Sequence, residues 1–218
     1  MCIYLTSAMR LCLYVLLLCM FCMNTYAQGE YKDPLWHFMN TTQTMQGQFT
    51  QKLLDEHGRI IESAFGMVSF SLPGQFRWDY TEPYQQSIIS DGQALWIYDI
   101  DIDQLIIRDI GIVTGSTPLV IFSGYAEVEK HFVVENIGTI EGASWVELSA
   151  RDQSSQYRSI RMGFDDGKPL MMLMFDGFQQ ITRIDFISVN SNVRLASDFF
   201  SVDPPAKVDV IDERDRSQ

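Results

Sequence analysis

Hydrophobic and polar positions alternate with period two over much of the chain, most clearly in Leu72-Pro73-Gly74-Gln75-Phe76-Arg77-Trp78-Asp79-Tyr80. That period puts Phe76, Trp78 and Tyr80 on one face of a strand and Arg77 and Asp79 on the other. Pro73-Gly74 is turn chemistry and marks where the strand begins. Ser87-Ile88-Ile89-Ser90 reads as the next strand and Asp91-Gly92 as a hairpin turn. Leu95-Trp96-Ile97-Tyr98-Asp99 follows, apolar or aromatic on both faces. One sheet thus acquires a large aromatic surface, which a soluble, acidic chain must cover or use.

The same pattern predicts the other elements. Leu35, Trp36, Met39 and Thr42 or Gln43 recur at helical spacing over 33–44, with Asp33 as cap and Pro34 as first helical residue. Residues 45–54 switch to strand, with Gly47, Phe49, Gln51 and Leu53 on one face. Residues 59–70 form a long strand in which Gly66 marks a bulge or bend. A further strand is expected around Leu105-Ile106-Ile107. Thr117 is a good N-cap and Pro118 a good first residue for a short helix, Leu119-Val120-Ile121-Phe122, ending near Gly124. A helix apolar all round is not a surface element, so this one must rest on the sheet. Strands resume over 132–137, 145–149, 157–164, 170–175, 181–189 and 208–211. The run Leu170-Met171-Met172-Leu173-Met174-Phe175 has no polar face and must be covered on both sides. The fold class is mainly β with short helices (α+β). About ten or eleven strands and two or three helices suit a curved antiparallel sheet or open barrel whose concave side the helices plug.

Composition narrows the setting. Arg10 is the only charge in residues 1–27, an apolar run follows it, and Thr25-Tyr26-Ala27 places small residues at −3 and −1 before Gln28. This reads as a cleaved secretory signal, leaving 28–218 as one domain; an uncleaved anchor is the alternative. The run is shorter than the roughly 20 residues a bilayer span needs. All four cysteines (Cys2, Cys12, Cys19, Cys22) lie within residues 1–27, so the mature chain would have neither disulfides nor thiolate metal sites. Bulky Phe21 before Cys22 argues against lipidation there. The formal charge of −12 becomes −13 when Arg10 is removed, which excludes a nucleic-acid-binding role built on a basic face.

The segment from Pro73 to Tyr80, then Pro83-Tyr84, Ser90-Asp91-Gly92 and Leu95-Trp96-Ile97-Tyr98, resembles the periplasmic outer-membrane lipoprotein carrier (LolA) family. Phe49-Thr50-Gln51, Thr117-Pro118-Leu119, Phe199, Pro204-Pro205 and Val208-Asp209-Val210 agree in order and spacing. The resemblance implies a half-open barrel closed by a helical lid over a hydrophobic cavity for lipoprotein acyl chains. It also implies a periplasmic monomer that takes triacylated lipoproteins from an inner-membrane ABC transporter and passes them to an outer-membrane receptor. The family usually has Arg immediately before the Pro of the first motif, where it is thought to hold the lid shut. Here that residue is Leu72. Arg77 is the candidate substitute latch; otherwise the lid is held by apolar contact alone and opens easily, which is the reading we favour.

Phe76, Trp78, Trp96, Tyr98, Leu119, Ile121, Met172 and Met174 are the candidate cavity and lid residues, although plain core would explain the methionine run as well. Aromatic rings and Met offer a surface that repacks around varied chains. Catalysis, a cofactor and a metal are not expected. His37, His57 and His131 are scattered, and no nucleophile elbow, phosphate loop or metal spacing appears. Asp99, Asp101 and Asp103 lack the glycine and terminal glutamate of a calcium loop and read as a solvated turn. Carboxylate pairs for a glycosidase could be drawn from Asp79, Glu82 and Asp91, but an acidic chain always offers such pairs. A non-catalytic protein- or lipid-interaction module of the same fold is the rival reading.

Overall fold

The computed structural model describes residues 32–110, 118–153, 155–204 and 206–214, with the backbone alone at Pro118 and Leu119. The expected signal and its boundary at Gln28, the cap Thr117 and the Leu119 side chain lie outside the described residues. The helix α1 spans Pro34–Thr41. Asp33 caps it, accepting the Trp36 N–H at 2.8 Å, and Pro34 opens it. Its buried stripe is Leu35, Phe38 and Met39, spaced as one helical face requires.

Strands β1 (Thr44–Leu54), β2 (Ile60–Ser71), β3 (Gln75–Glu82), β4 (Gln86–Asp91), β5 (Ala94–Asp99) and β6 (Gln104–Asp109) follow as a meander. A 3₁₀ helix, Pro118–Ser123, and α2 (Tyr125–His131) interrupt the series. A second meander then runs through β7 (Phe132–Ile140), β8 (Ala143–Ala150), β9 (Tyr157–Asp165), β10 (Lys168–Asp176) and β11 (Ile181–Ser191). β1 pairs antiparallel with β11 and joins the two meanders, while β12 (Asp209–Asp212) adds to β6. The sheet order is β12-β6-β5-β4-β3-β2-β1-β11-β10-β9-β8-β7, open at β12 and β7. Two details correct the sequence reading. There are twelve strands among the described residues, and β12 runs parallel to β6 in an otherwise antiparallel sheet. The helix α2 was not anticipated, because its only buried residue is Val128 and it presents no apolar stripe.

Ring contacts show that the sheet curls. Phe38 on α1 lies 5.7 Å from Phe70 on β2 and 5.6 Å from Phe164 on β9, four strands away. Trp78 on β3 reaches Phe186 on β11 at 6.4 Å. Gly66 permits part of this curl. The β2–β3 register shifts between Phe65 and Gly66. A Cβ at Gly66 would stand 2.0 Å from the Asp79 carbonyl oxygen and 2.6 Å from the Phe49 ring. Backbone and a buried ring both approach too closely for any side chain.

The outer face carries a second apolar cluster. Ala94, Leu105 and Ile107 are buried there beneath Val202 and Val208, with Trp96 and Tyr98 packed against them. On β10 the outward Leu173 pairs with Arg183 on one side and Arg161 on the other. Their long stems lie over an apolar strand while their charges stay in water. Gly66→Ala should cost about 3 kcal/mol, the upper range for overpacking a filled site. A fall in the urea midpoint at unchanged slope measures it; a variant as stable as the parent would show that the contact relaxes freely.

Candidate functional site

The inner face forms a half-open cavity of about 220 Å³. Its apolar walls are Trp78, Ile88, Phe122, Met172, Met174 and Ile184, and its polar margin is Gln51, Tyr80, Gln156, Tyr157 and Thr182. Strand register explains the set. Trp78 pairs with Ile88, and Met172 and Met174 pair with Ile184 and Thr182, so each pair presents one face inward. The same row continues from Ile88 to Ile97, Ile106 and Ile211, an aliphatic ladder crossing β4, β5, β6 and β12. A second depression of about 390 Å³ lies on the sheet, lined by Phe49, Phe65, Gly66, Met67 and Ile187 with Gln48, Thr81 and Glu82; Phe65, Met67 and Ile187 are exposed there.

Among the described residues, none that lines the inner cavity is ionised at neutral pH. The Tyr80 hydroxyl donates to Gln51 Oε1 at 3.0 Å, and burial pushes its pKa up to about 12. Burial likewise raises that of Tyr157. The site can therefore accept an uncharged apolar ligand carrying a few neutral polar atoms. Among the described residues no cluster of His, Cys, Asp or Glu is arranged to hold a metal ion.

Of the residues singled out from the sequence, Trp78, Met172 and Met174 line this cavity. Phe76 and Ile121 are buried core beside it, 1 % and 2 % exposed. Trp96 and Tyr98 correct the expectation: they sit in the outer cluster, because Leu95 and Ile97 take the inward positions of β5. Arg77 corrects it too. It lies on the outer face, ion-paired with Asp79 at 2.8 Å, its guanidinium 5.8 Å from the Phe199 ring. It clamps the C-terminal segment, on the sheet face opposite the cover. Asp79 is held by Arg77 and Ser87, and Asp91 accepts the N–H groups of Gln93 and Ala94. Asp101 accepts the Gln85 N–H. These carboxylates build turns and the outer face. The margin residues Tyr157 and Thr182 were missed, although Tyr80 was already on the inward face by alternation.

The lid is not held by apolar contact alone. Phe122 packs between Phe70 at 5.4 Å and Phe76 at 5.5 Å. The Gly74 N–H also donates to the Phe122 carbonyl at 2.7 Å. At the start of α2 the Tyr125 hydroxyl donates to Asp33, whose residue is 4 % exposed. Burial first, then the Asp33 carboxylate, raises the Tyr125 pKa. Lys32 stands 5.4 Å over the Tyr125 ring and 3.5 Å from Glu129. Leu72, where the family's Arg would stand, packs against the core and donates its N–H to the Gln43 carbonyl at 2.8 Å.

Comparison with known proteins finds relatives over most of the chain. The family described as "Outer membrane lipoprotein carrier protein LolA" matches residues 40–203. A relative from Methylococcus capsulatus, named an outer-membrane lipoprotein carrier protein, is 36% identical over 203 residues, 92% of this chain and 98% of its own length. One of the same name from Nitrosospira multiformis is 34% identical over 94% of this chain and 98% of its own. The crystal structure of an uncharacterized conserved protein from Thermus thermophilus shares the fold, with a TM-score of 0.54 at 11% identity over 82% of this chain and 96% of that one.

Tyr125→Phe removes a hydrogen bond to a buried carboxylate and should cost about 1.5–3 kcal/mol. Amide exchange over residues 120–131 should then accelerate by about tenfold or more, with β1 and β2 unchanged. Exchange in that segment identical to the parent's would mean that Tyr125 does not anchor it.

Proposed function

Since the chain belongs to the LolA family of outer membrane lipoprotein carrier proteins, we propose that its inner cavity holds the acyl chains of lipoproteins while the 3₁₀ helix and α2 cover them. The observation that carries this reading is the wall itself, with aliphatic, aromatic and Met side chains enclosed by a margin of neutral polar groups. Each CH₂ withdrawn from water contributes about 0.8 kcal/mol, so a short length of acyl chain supplies ample affinity. Release then depends on a cover that moves. The volume of about 220 Å³ is below the roughly 300–1,000 Å³ of ordinary ligand sites. Loading therefore displaces Phe122, which belongs to the lid and also lines the cavity.

The cargo in this reading is triacylated lipoprotein, delivered by an inner-membrane ABC transporter and handed to an outer-membrane receptor. The protein works as a periplasmic monomer, with residues 1–27 removed on export and 28–218 forming the carrier domain. It acts by binding and release, not by catalysis. Native mass spectrometry with a purified triacylated lipoprotein and its unacylated form tests this. A complex with the acylated form only is expected. Binding to both forms would instead indicate a module that recognises protein, and binding to neither would remove the acyl-chain role.

A further inference from the structure

We infer that the free edge of β7 is a docking site for an extended segment of a partner protein, one that carries a basic residue beside an aliphatic one. This does not rest on the cavity, and it gives a role to a strand that the carrier reading leaves unused.

β7 ends the sheet and pairs with β8 alone. Its hydrogen-bonding side can be assigned. The Arg151 N–H donates to the His131 carbonyl at 2.9 Å, and the register continues through Phe132↔Ala150, Val134↔Leu148 and Asn136↔Val146. In an antiparallel pair, bonded and non-bonded positions alternate. Val133 and Glu135 therefore bond to β8, while Phe132 and Val134 turn their backbone groups to the open side. The Phe132 N–H agrees with this, since it goes to the Val128 carbonyl of α2. What remains is the Phe132 carbonyl and both backbone groups of Val134, a template on which another strand can add. The register shift between Asn136 and Gly138 ends the regular stretch. The opposite edge of the sheet is blunted, because β12 is four residues long and carries Asp209 and Asp212.

The side-chain rows that end at β7 state what the added strand must carry. On the outer face one row runs from Arg183 through Leu173, Arg161 and Glu147 to Glu135. Glu147 is ion-paired with Arg161 at 3.1 Å. Glu135 thus stands opposite a carboxylate and, among the described residues, has no cation of its own. Like charges directly opposite one another repel, so the next position of that row calls for Lys or Arg. The neighbouring inner row runs through Met174, Ile160 and Leu148 to Val134. Its next position calls for an aliphatic side chain, which covers Val134. A second copy of β7 does not qualify, because Phe132–Ile140 contains neither Lys nor Arg. The formal charge of −12 draws a basic segment toward the protein in the same sense.

The test titrates the ¹⁵N-labelled mature protein with two capped peptides. Each alternates valine with threonine, and the central threonine is replaced by lysine in one and by glutamate in the other. The amide signals of Val134 and its neighbours on β7 should move and those of β12 should not. The lysine peptide should bind about fivefold more tightly, the ratio that an attractive in place of a repulsive cross-strand pair supplies. Glu135→Lys should reverse the order of the two peptides, which a merely structural role for Glu135 would not do. Val134→Pro removes an N–H that bonds nothing within the sheet, so the thermal transition should persist while both peptides lose their binding. No binding by either peptide, equal affinities, an order unchanged in Glu135→Lys, or signal changes confined to other strands would each overturn the inference. A protein that sediments as a dimer and becomes a monomer on Val134→Pro would put a second copy on this edge, and would overturn it too.

Discussion

An apolar sheet face that curls without closing has to be covered by something other than strands. The twelve strands leave β12 and β7 unpaired to one another, so the inner face built by Phe49, Phe70, Phe76 and Trp78 would otherwise meet water. Three short helical pieces among the described residues prevent this. None of them is long enough to be stable alone, since isolated helices below about 12–15 residues are marginal. Their stability comes from the sheet, through Phe38 inserted between β2 and β9 and Phe122 between β2 and β3. A cover stabilised mainly by what lies beneath it can be displaced by a ligand offering the same kind of contact. That is the physical basis on which such a fold can carry apolar cargo.

Two hydrogen bonds of the cover stand where its two helical pieces meet. The Gly74 N–H donates to the Phe122 carbonyl, and three residues on Tyr125 reaches Asp33. The second bond joins the cap of α1 to the first residue of α2, so the two helices are tied where their own caps begin. Beside them the Phe122 ring packs on Phe70 and Phe76. Ring-to-ring contact is non-directional enough to be exchanged for acyl chain, whereas the two hydrogen bonds fix where the segment returns. The absence of an arginine before Pro73 is therefore compatible with a held lid, because Leu72 contributes packing at that corner and the directional bonds stand elsewhere.

How much was legible in the sequence follows from where its periodicity carries information. Phe76, Trp78 and Tyr80 alternate with charged residues, and their common inward face was readable. Trp96 and Tyr98 lie in a strand apolar on both sides, where alternation cannot distinguish in from out. Both faces of β5 are in fact covered, one by the core and the other beneath Val202 and Val208. The methionine run posed the same ambiguity, which the register of β10 with β11 resolves by sending Met172 and Met174 inward. The Tyr125–Asp33 bond joins residues 92 positions apart, and no local pattern announces it. The parallel docking of β12 on β6 is long-range in the same sense.

Arg77 shows how one residue's parity constrains function. A latch acting on the inner cover must itself stand on the inner face or at a sheet edge. Arg77 is flanked by Phe76 and Trp78 on a regular strand, so if those rings face inward its guanidinium faces outward. The alternation that placed the rings was already an argument against the latch. On the outer face the same residue has other partners: Asp79 beside it, and the ring and carbonyl of Phe199 above it. There it holds the C-terminal segment, which runs on to Val202 and Val208 in the outer cluster where Trp96 and Tyr98 are half-buried. One strand thus serves two covers, aromatic on the side that must be opened and ionic on the side that must stay shut.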